Sequence, residues 1–172
     1  MSSDKHLFGA VCIAIEAGIP VLWWGAPGIG KTFRIRGYGR ATKRHTEVVI
    51  ASIHPPEDFS GLPVRDGDRA RYLPPEWAVR LLEAGGGLLF FDEISTAAPA
   101  SQAALLRVVL EKAVGQLQLP ESVAIVIRTE DLSIDCIAKS GSILSNGIEH
   151  RLDIRWRAGD HPQDFASGGL LL

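Results

Sequence analysis

Four short apolar runs, separated by amphipathic stretches, set out the plan of this chain. Val21 to Trp24, Thr46 to Ala51, Leu88 to Phe91 and Val123 to Ile127 are apolar or β-branched nearly throughout, and runs this short between Gly, Pro and polar residues predict buried strands. Between them the period changes to that of a helix. Leu7, Val11, Ala14 and Ile15 share one face of a predicted helix over 5–17, which ends at Gly18 ahead of Pro20. Residues 31–44 are predicted helical, although Gly37 and Gly39 each cost about 1 kcal/mol relative to Ala in a helix interior. A further helix is predicted over 75–83, with Pro75 at its first turn and Gly85 to Gly87 at its end. The last runs from Pro99 to Lys112, with Leu105, Val108, Val109 and the Lys112 stem on one face, Ser95 or Thr96 as its cap and Gly115 as its stop. The segment from Ile53 to Pro75, rich in Pro, Gly and alternating charges at Arg65, Asp66, Asp68, Arg69 and Arg71, reads as a long functional loop or a small hairpin. Strand alternating with helix predicts an α/β fold: a parallel sheet, helices on both sides, right-handed crossovers.

Composition adds limits. A chain of 172 residues, 46% hydrophobic and 22% charged, suits one domain with a proper core. The net charge of −2 gives no general attraction to nucleic acid or acidic membranes, so nucleic acid is disfavoured as a partner. Arg34, Arg36, Arg40, Lys43 and Arg44 then read as a solvated helix face. Cys12 and Cys136 lack metal or disulfide spacing and read as small buried hydrophobes. No apolar run could span a bilayer, and Glu16 breaks the stretch that would otherwise imitate a signal peptide, so a cytoplasmic location and no membrane partner are expected.

The candidate chemistry lies at two places. Directly after the first apolar run stands Gly25-Ala26-Pro27-Gly28-Ile29-Gly30-Lys31-Thr32, which fits the phosphate-loop pattern of two glycines followed by Lys and Thr. Backbone N–H groups can turn inward around a phosphate where no Cβ intrudes, as at Gly28 and Gly30, and the next helix offers its positive end to the same anion. Lys31 would lie over the β- and γ-phosphates, and the Thr32 hydroxyl would reach Mg2+. The spacing does not fit a dinucleotide fingerprint. At the second place, Leu88 to Phe91 runs into Asp92 and Glu93, which would emerge at the carboxyl end of a central strand, where open α/β sheets bind ligands. Asp92 can hold magnesium and Glu93 can orient or deprotonate a water, which predicts Mg-ATP binding and hydrolysis. Two exposed acids capping a strand are the plainer alternative.

These motifs, with Pro56-Glu57-Asp58, Gly61-Leu62-Pro63, Leu73-Pro74-Pro75-Glu76-Trp77 and the run from Ala103 to Lys112, resemble the MoxR-type AAA+ ATPases over about residues 5–128. The resemblance implies a P-loop NTPase core with a five-stranded, mainly parallel sheet, joined with like subunits into a ring, usually a hexamer, with ATP between neighbours. It implies chaperone-like remodelling, often with a von Willebrand factor A-domain protein as partner, and makes Asp92 and Glu93 the Walker B pair. A sensor residue, usually Asn, is expected after Ile127. Thr129 is its substitute here, and Arg151, ahead of a short strand over 152–156, is the candidate arginine finger. Residues 1–157 are then the core and 158–172 a tail, with the helical lid absent. A protein that holds ATP and assembles, but turns over little, is the alternative function. No Asn-Lys-x-Asp motif supports a GTPase.

Overall fold

The computed structural model describes residues 3–24, 28, 30–129 and 169–171. Helix α1 (Ser3–Glu16) leads into strand β1 (Val21–Trp24), and helix α2 (Lys31–Ala41) into β2 (Thr46–Ile50). A 3-10 turn at Ala51–Ile53 and a single helical turn, α3 (Glu57–Ser60), precede an antiparallel hairpin of β3 (Leu62–Asp66) and β4 (Arg69–Leu73). Next come α4 (Glu76–Glu83), β5 (Gly87–Asp92), a 3-10 turn at Ile94–Thr96 and α5 (Pro99–Glu111). A small ribbon of β6 (Ala113–Val114) and β7 (Leu117–Gln118) leads to β8 (Val123–Thr129), and β9 (Gly169–Leu171) completes the described chain.

The main sheet has the order β2-β5-β8-β1-β9. The first four strands run parallel, as the alternation of strand and helix predicts, and β9 pairs with β1 antiparallel. The fifth position is thus filled from the segment expected to be a tail; the expected strand over 152–156 lies outside the described residues. β5 and β8 are buried at every position, because a strand with neighbours on both edges and helices on both faces has no solvent side.

Alternation along these strands divides the core into two halves. Val21, Trp23, Leu88, Phe90, Ala124 and Val126 face Val11, Ala14 and Ile15 of α1 and Ile35 of α2. Leu22, Val49, Leu89, Phe91, Ile125 and Ile127 face the other way, onto Phe59, Trp77, Leu81, Leu105 and Val108. Phe91 there meets Phe59 and Trp77 edge-on, with ring centroids 5.9 Å apart in both pairs.

Several element ends differ from expectation. α2 stops at Ala41 rather than Arg44, and Lys43 then adopts a left-handed φ of 56°. Neither Ser95 nor Thr96 caps α5: both lie in the preceding 3-10 turn, Ala98 is the cap position, and Pro99 opens the helix without a side-chain cap. Lys112, at φ 49°, ends α5, while Gly115 forms the turn of the ribbon beyond. Gly39 has a packing reason to be in a helix, since a Cβ there would lie 2.0 Å from Thr46 Oγ1 at the start of β2. At Gly37 the same addition meets nothing within 4 Å.

Candidate nucleotide site

The sheet order brings three strand ends together. Trp24 ends β1 beside Thr129 at the end of β8, and Phe91 pairs with Ile127, one residue before Asp92 and Arg128. The carboxyl ends of these strands therefore lie side by side, at the end of the sheet where open α/β sheets take their ligands.

From β1 the chain enters the glycine loop. Gly28 has φ 78° and Gly30 has φ 79°, left-handed values that a side chain disfavours, so the backbone turns here as the motif requires. Gly25, Ala26, Pro27 and Ile29 lie outside the described residues. α2 begins at once, with Lys31 only 3% exposed at its first position. The next residue links the two motifs: Thr32 Oγ1 donates to Asp92 Oδ2 at 2.7 Å. Residues sixty positions apart in sequence thus bring a hydroxyl and a carboxylate to one point.

Asp92 is the last residue of β5 and is buried. Its other oxygen accepts from the Glu93 backbone N–H at 3.0 Å and from Arg128 Nη1 at 2.6 Å. Glu93 sits just beyond the strand at φ 56°, ψ 41°, a left-handed conformation that a glutamate holds only when its surroundings impose it. Its side chain is 45% exposed, so water reaches it. Ser52 Oγ, from the turn after β2, donates to Glu93 Oε2 at 3.0 Å, and Arg128 Nη1 stands 4.0 Å from Glu93 Oε1.

Hard oxygen donors such as Thr32 and Asp92 suit magnesium, which keeps several waters and takes one or two protein ligands beside substrate phosphates. Among the described residues no three His, Cys, Asp or Glu side chains form a metal-binding group, and such a magnesium needs none.

Sequence reasoning placed Lys31, Thr32, Asp92 and Glu93 at one site, and the structure joins Thr32 to Asp92, with Glu93 next to Asp92 and the buried Lys31 next to Thr32 in sequence. It passed over Arg128 in favour of Thr129. Thr129, the expected sensor, is fully buried at the strand end, and its neighbour Arg128, which was given no role, bonds Asp92. A charged residue directly after five apolar ones, in register with the end of β5, was the available signal. Arg151 lies outside the described residues. The other sequence blocks that carried the resemblance also meet: Trp77 Nε1 donates to the Asp58 carbonyl at 3.1 Å, joining the text at 56–58 to that at 73–77. The basic helix face is partly engaged within the fold. Arg44 pairs with Glu16 at 2.7 Å, and Arg34 lies over the Phe8 ring at 5.8 Å.

A parallel sheet of this order, a phosphate-loop helix beside it and an Asp-Glu pair at the end of the central strand define the class: the fold is that of a P-loop NTPase core of the AAA+ type. Comparison with known proteins agrees at that level. Residues 78–137 match the Sigma-54 interaction domain family, a stretch that contains Asp92 and Glu93 but not the phosphate loop. Among solved structures the chain is similar to NtrX from Brucella abortus, with a TM-score of 0.51 and 20% identity. That likeness covers 79% of this chain and 31% of NtrX, so the chain spans about a third of the length of that protein. No curated protein matches the chain. No helix among the described residues is long and apolar enough to cross a membrane.

Proposed function

We propose that this chain is an AAA+ module that binds ATP at the carboxyl ends of β1, β5 and β8 and hydrolyses it. The observation that carries the reading is the 2.7 Å contact between Thr32 of the glycine-loop helix and Asp92 of the central strand, which makes the two motifs one site. The N-terminus of α2 and the Lys31 ammonium attract the phosphates, and buried positions sharpen that attraction. Thr32 and Asp92 are the residues that would hold Mg2+, which when bound neutralises charge on the β- and γ-phosphate oxygens. Glu93 accepts the proton of the attacking water, oriented by Ser52 and open to solvent on its other side.

In the finer reading, like subunits form a ring, probed first as a hexamer, and a neighbour supplies Arg151 to the phosphates. The ring acts in the cytoplasm to remodel a partner protein. The text at 56–63, 73–77 and 103–112 supports a MoxR-like role with a von Willebrand factor A-domain partner, whereas the family match makes a sigma-54 protein the rival client. A second reading, an ATP-holding assembly module with little turnover, is favoured by one observation, the ion pair of Arg128 with Asp92.

ATP turnover measured against protein concentration, with Glu93→Gln and Lys31→Ala alongside, tests these readings. Turnover per subunit that rises with concentration and vanishes in Glu93→Gln, with ATP binding retained, is the expected result. Turnover equal to that of Glu93→Gln, with binding intact, favours the holding module. Tight ATP binding by Lys31→Ala would sink both.

A further inference from the structure

Arg128 is a charged residue of the site that the motifs do not account for. The parallel pairing of β5 with β8 puts Phe91 opposite Ile127, so the next positions, 92 and 128, are neighbours whose side chains leave the same face of the sheet. The guanidinium lies 2.6 Å from Asp92 Oδ1, with both side chains about nine-tenths buried. Both Asp92 oxygens are then engaged, Oδ2 by the Thr32 hydroxyl and Oδ1 by Arg128 and the Glu93 amide. The partner is held by a central strand rather than a loop, so the pairing is a property of the sheet register.

A carboxylate recruits magnesium by its negative charge, and a guanidinium at hydrogen-bond distance in a buried setting cancels that charge more fully than any exposed pair would. Moving the Arg128 head does not release the site cleanly. Among the described residues the other acid within reach is Glu93, whose Oε1 is 4.0 Å away, and pairing there would occupy the residue that must accept a proton from water. At either station the arginine engages one of the two acids.

We propose that Arg128 is a built-in cation for this site: it stands in the place of the metal's charge at Asp92, so the chain holds nucleoside triphosphate without needing magnesium, and magnesium enters only by displacing it. This rests on the nucleotide-binding reading above. Two cations competing for one carboxylate form a negative coupling, and couplings between ligands commonly amount to about 5- to 150-fold in affinity.

The test is equilibrium binding of a ribose-labelled fluorescent ATP to the full chain, in excess magnesium and again in EDTA, for the wild type, Arg128→Asn and Arg128→Lys. The expected result is a wild-type affinity that changes less than about fivefold between the two conditions, and an Arg128→Asn affinity at least about tenfold higher with magnesium than without. Arg128→Lys keeps the positive charge and should follow the wild type. A wild type that loses about fivefold or more on removal of magnesium overturns the proposal, and this arm stands even if the asparagine variant does not fold. Equal magnesium dependence in wild type and Arg128→Asn also overturns it while leaving the nucleotide site intact. Absence of binding by the wild type in both conditions overturns the nucleotide reading itself, and this proposal with it.

Discussion

Two glycines two residues apart in the helix that carries Lys31 and Thr32 should respond to the same substitution with opposite signs. Alanine in place of glycine in a helix interior is worth about 1 kcal/mol, through propensity and the lower entropy of the unfolded chain. At Gly37 nothing lies within 4 Å of the added Cβ, so Gly37→Ala should keep that gain. At Gly39 the Cβ would sit 2.0 Å from Thr46 Oγ1 and 3.2 Å from Thr46 Cβ, so the hydroxyl must turn away or β2 must move. Turning it away loses the bond that Thr46 Oγ1 donates to the Arg44 carbonyl at 3.1 Å, a net cost of about 1 kcal/mol. Overpacking adds about 1–3 kcal/mol, so Gly39→Ala should be net destabilising by about 1–3 kcal/mol despite its better propensity. Urea unfolding of both variants should thus show midpoints moving in opposite directions, with m unchanged. In a Thr46→Ala background, where the blocking oxygen is gone, the penalty of Gly39→Ala should shrink, and the double-mutant cycle isolates the contact. If Gly39→Ala stabilises as much as Gly37→Ala does, the close approach of α2 to β2 is not what fixes that glycine.

Two pH dependences follow from an ion pair and a hydrogen bond outside the site. Glu47 on β2 takes a forked pair from Arg80 of α4, at 2.7 and 2.9 Å, and a bond from His45 at 2.7 Å. Burial opposes its charge, but the Arg80 and His45 hydrogen bonds outweigh burial and hold its pKa below the ordinary 4.5. Its contribution is therefore present above pH 4.5 and lost as pH falls through the lower folded value, so Glu47→Gln should flatten the acid limb of a urea-midpoint series; an unchanged limb refutes this. Tyr38 of α2 donates to Glu16 of α1, and burial together with that bond pushes its pKa from 10.0 up to about 12. The stability it lends is present below pH 10 and lost as pH rises towards 12, and phenolate absorbance should show one tyrosine titrating late, at an earlier pH in Glu16→Gln. Coincident titration in the two proteins would count against the bond.

The parallel strands were legible because burial on both faces leaves a continuous apolar run, as in Leu88 to Phe91 and Val123 to Ile127. The phosphate loop and the Asp-Glu pair were legible because each motif is local and their chemistry restricts which residue types can serve. Register was not. Whether residue 128 or 129 meets Asp92 depends on how β5 and β8 slide past each other, and a slip of one position reverses the answer. Helix ends were misread for a similar reason. Ser95 and Thr96 have the right chemistry for a cap, but Glu93 at φ 56° turns the chain so that both fall in the preceding 3-10 turn, where Thr96 bonds the Glu93 carbonyl instead. The Ser52 contact to Glu93 joins segments 41 positions apart and left no local trace.

The order of strands also governs when the site can exist during synthesis. β1 carries the glycine loop and is made early, yet Val21 pairs with Val126 on one side and Leu22 with Leu171 on the other, so both of its neighbours emerge roughly 100 residues later or more. Until β8 leaves the ribosome, β1 is an apolar segment without a strand beside it, while β2 and β5 can already pair. A nascent chain that stops short of Val123 has translated every residue of both nucleotide motifs and still has no pocket to place them in.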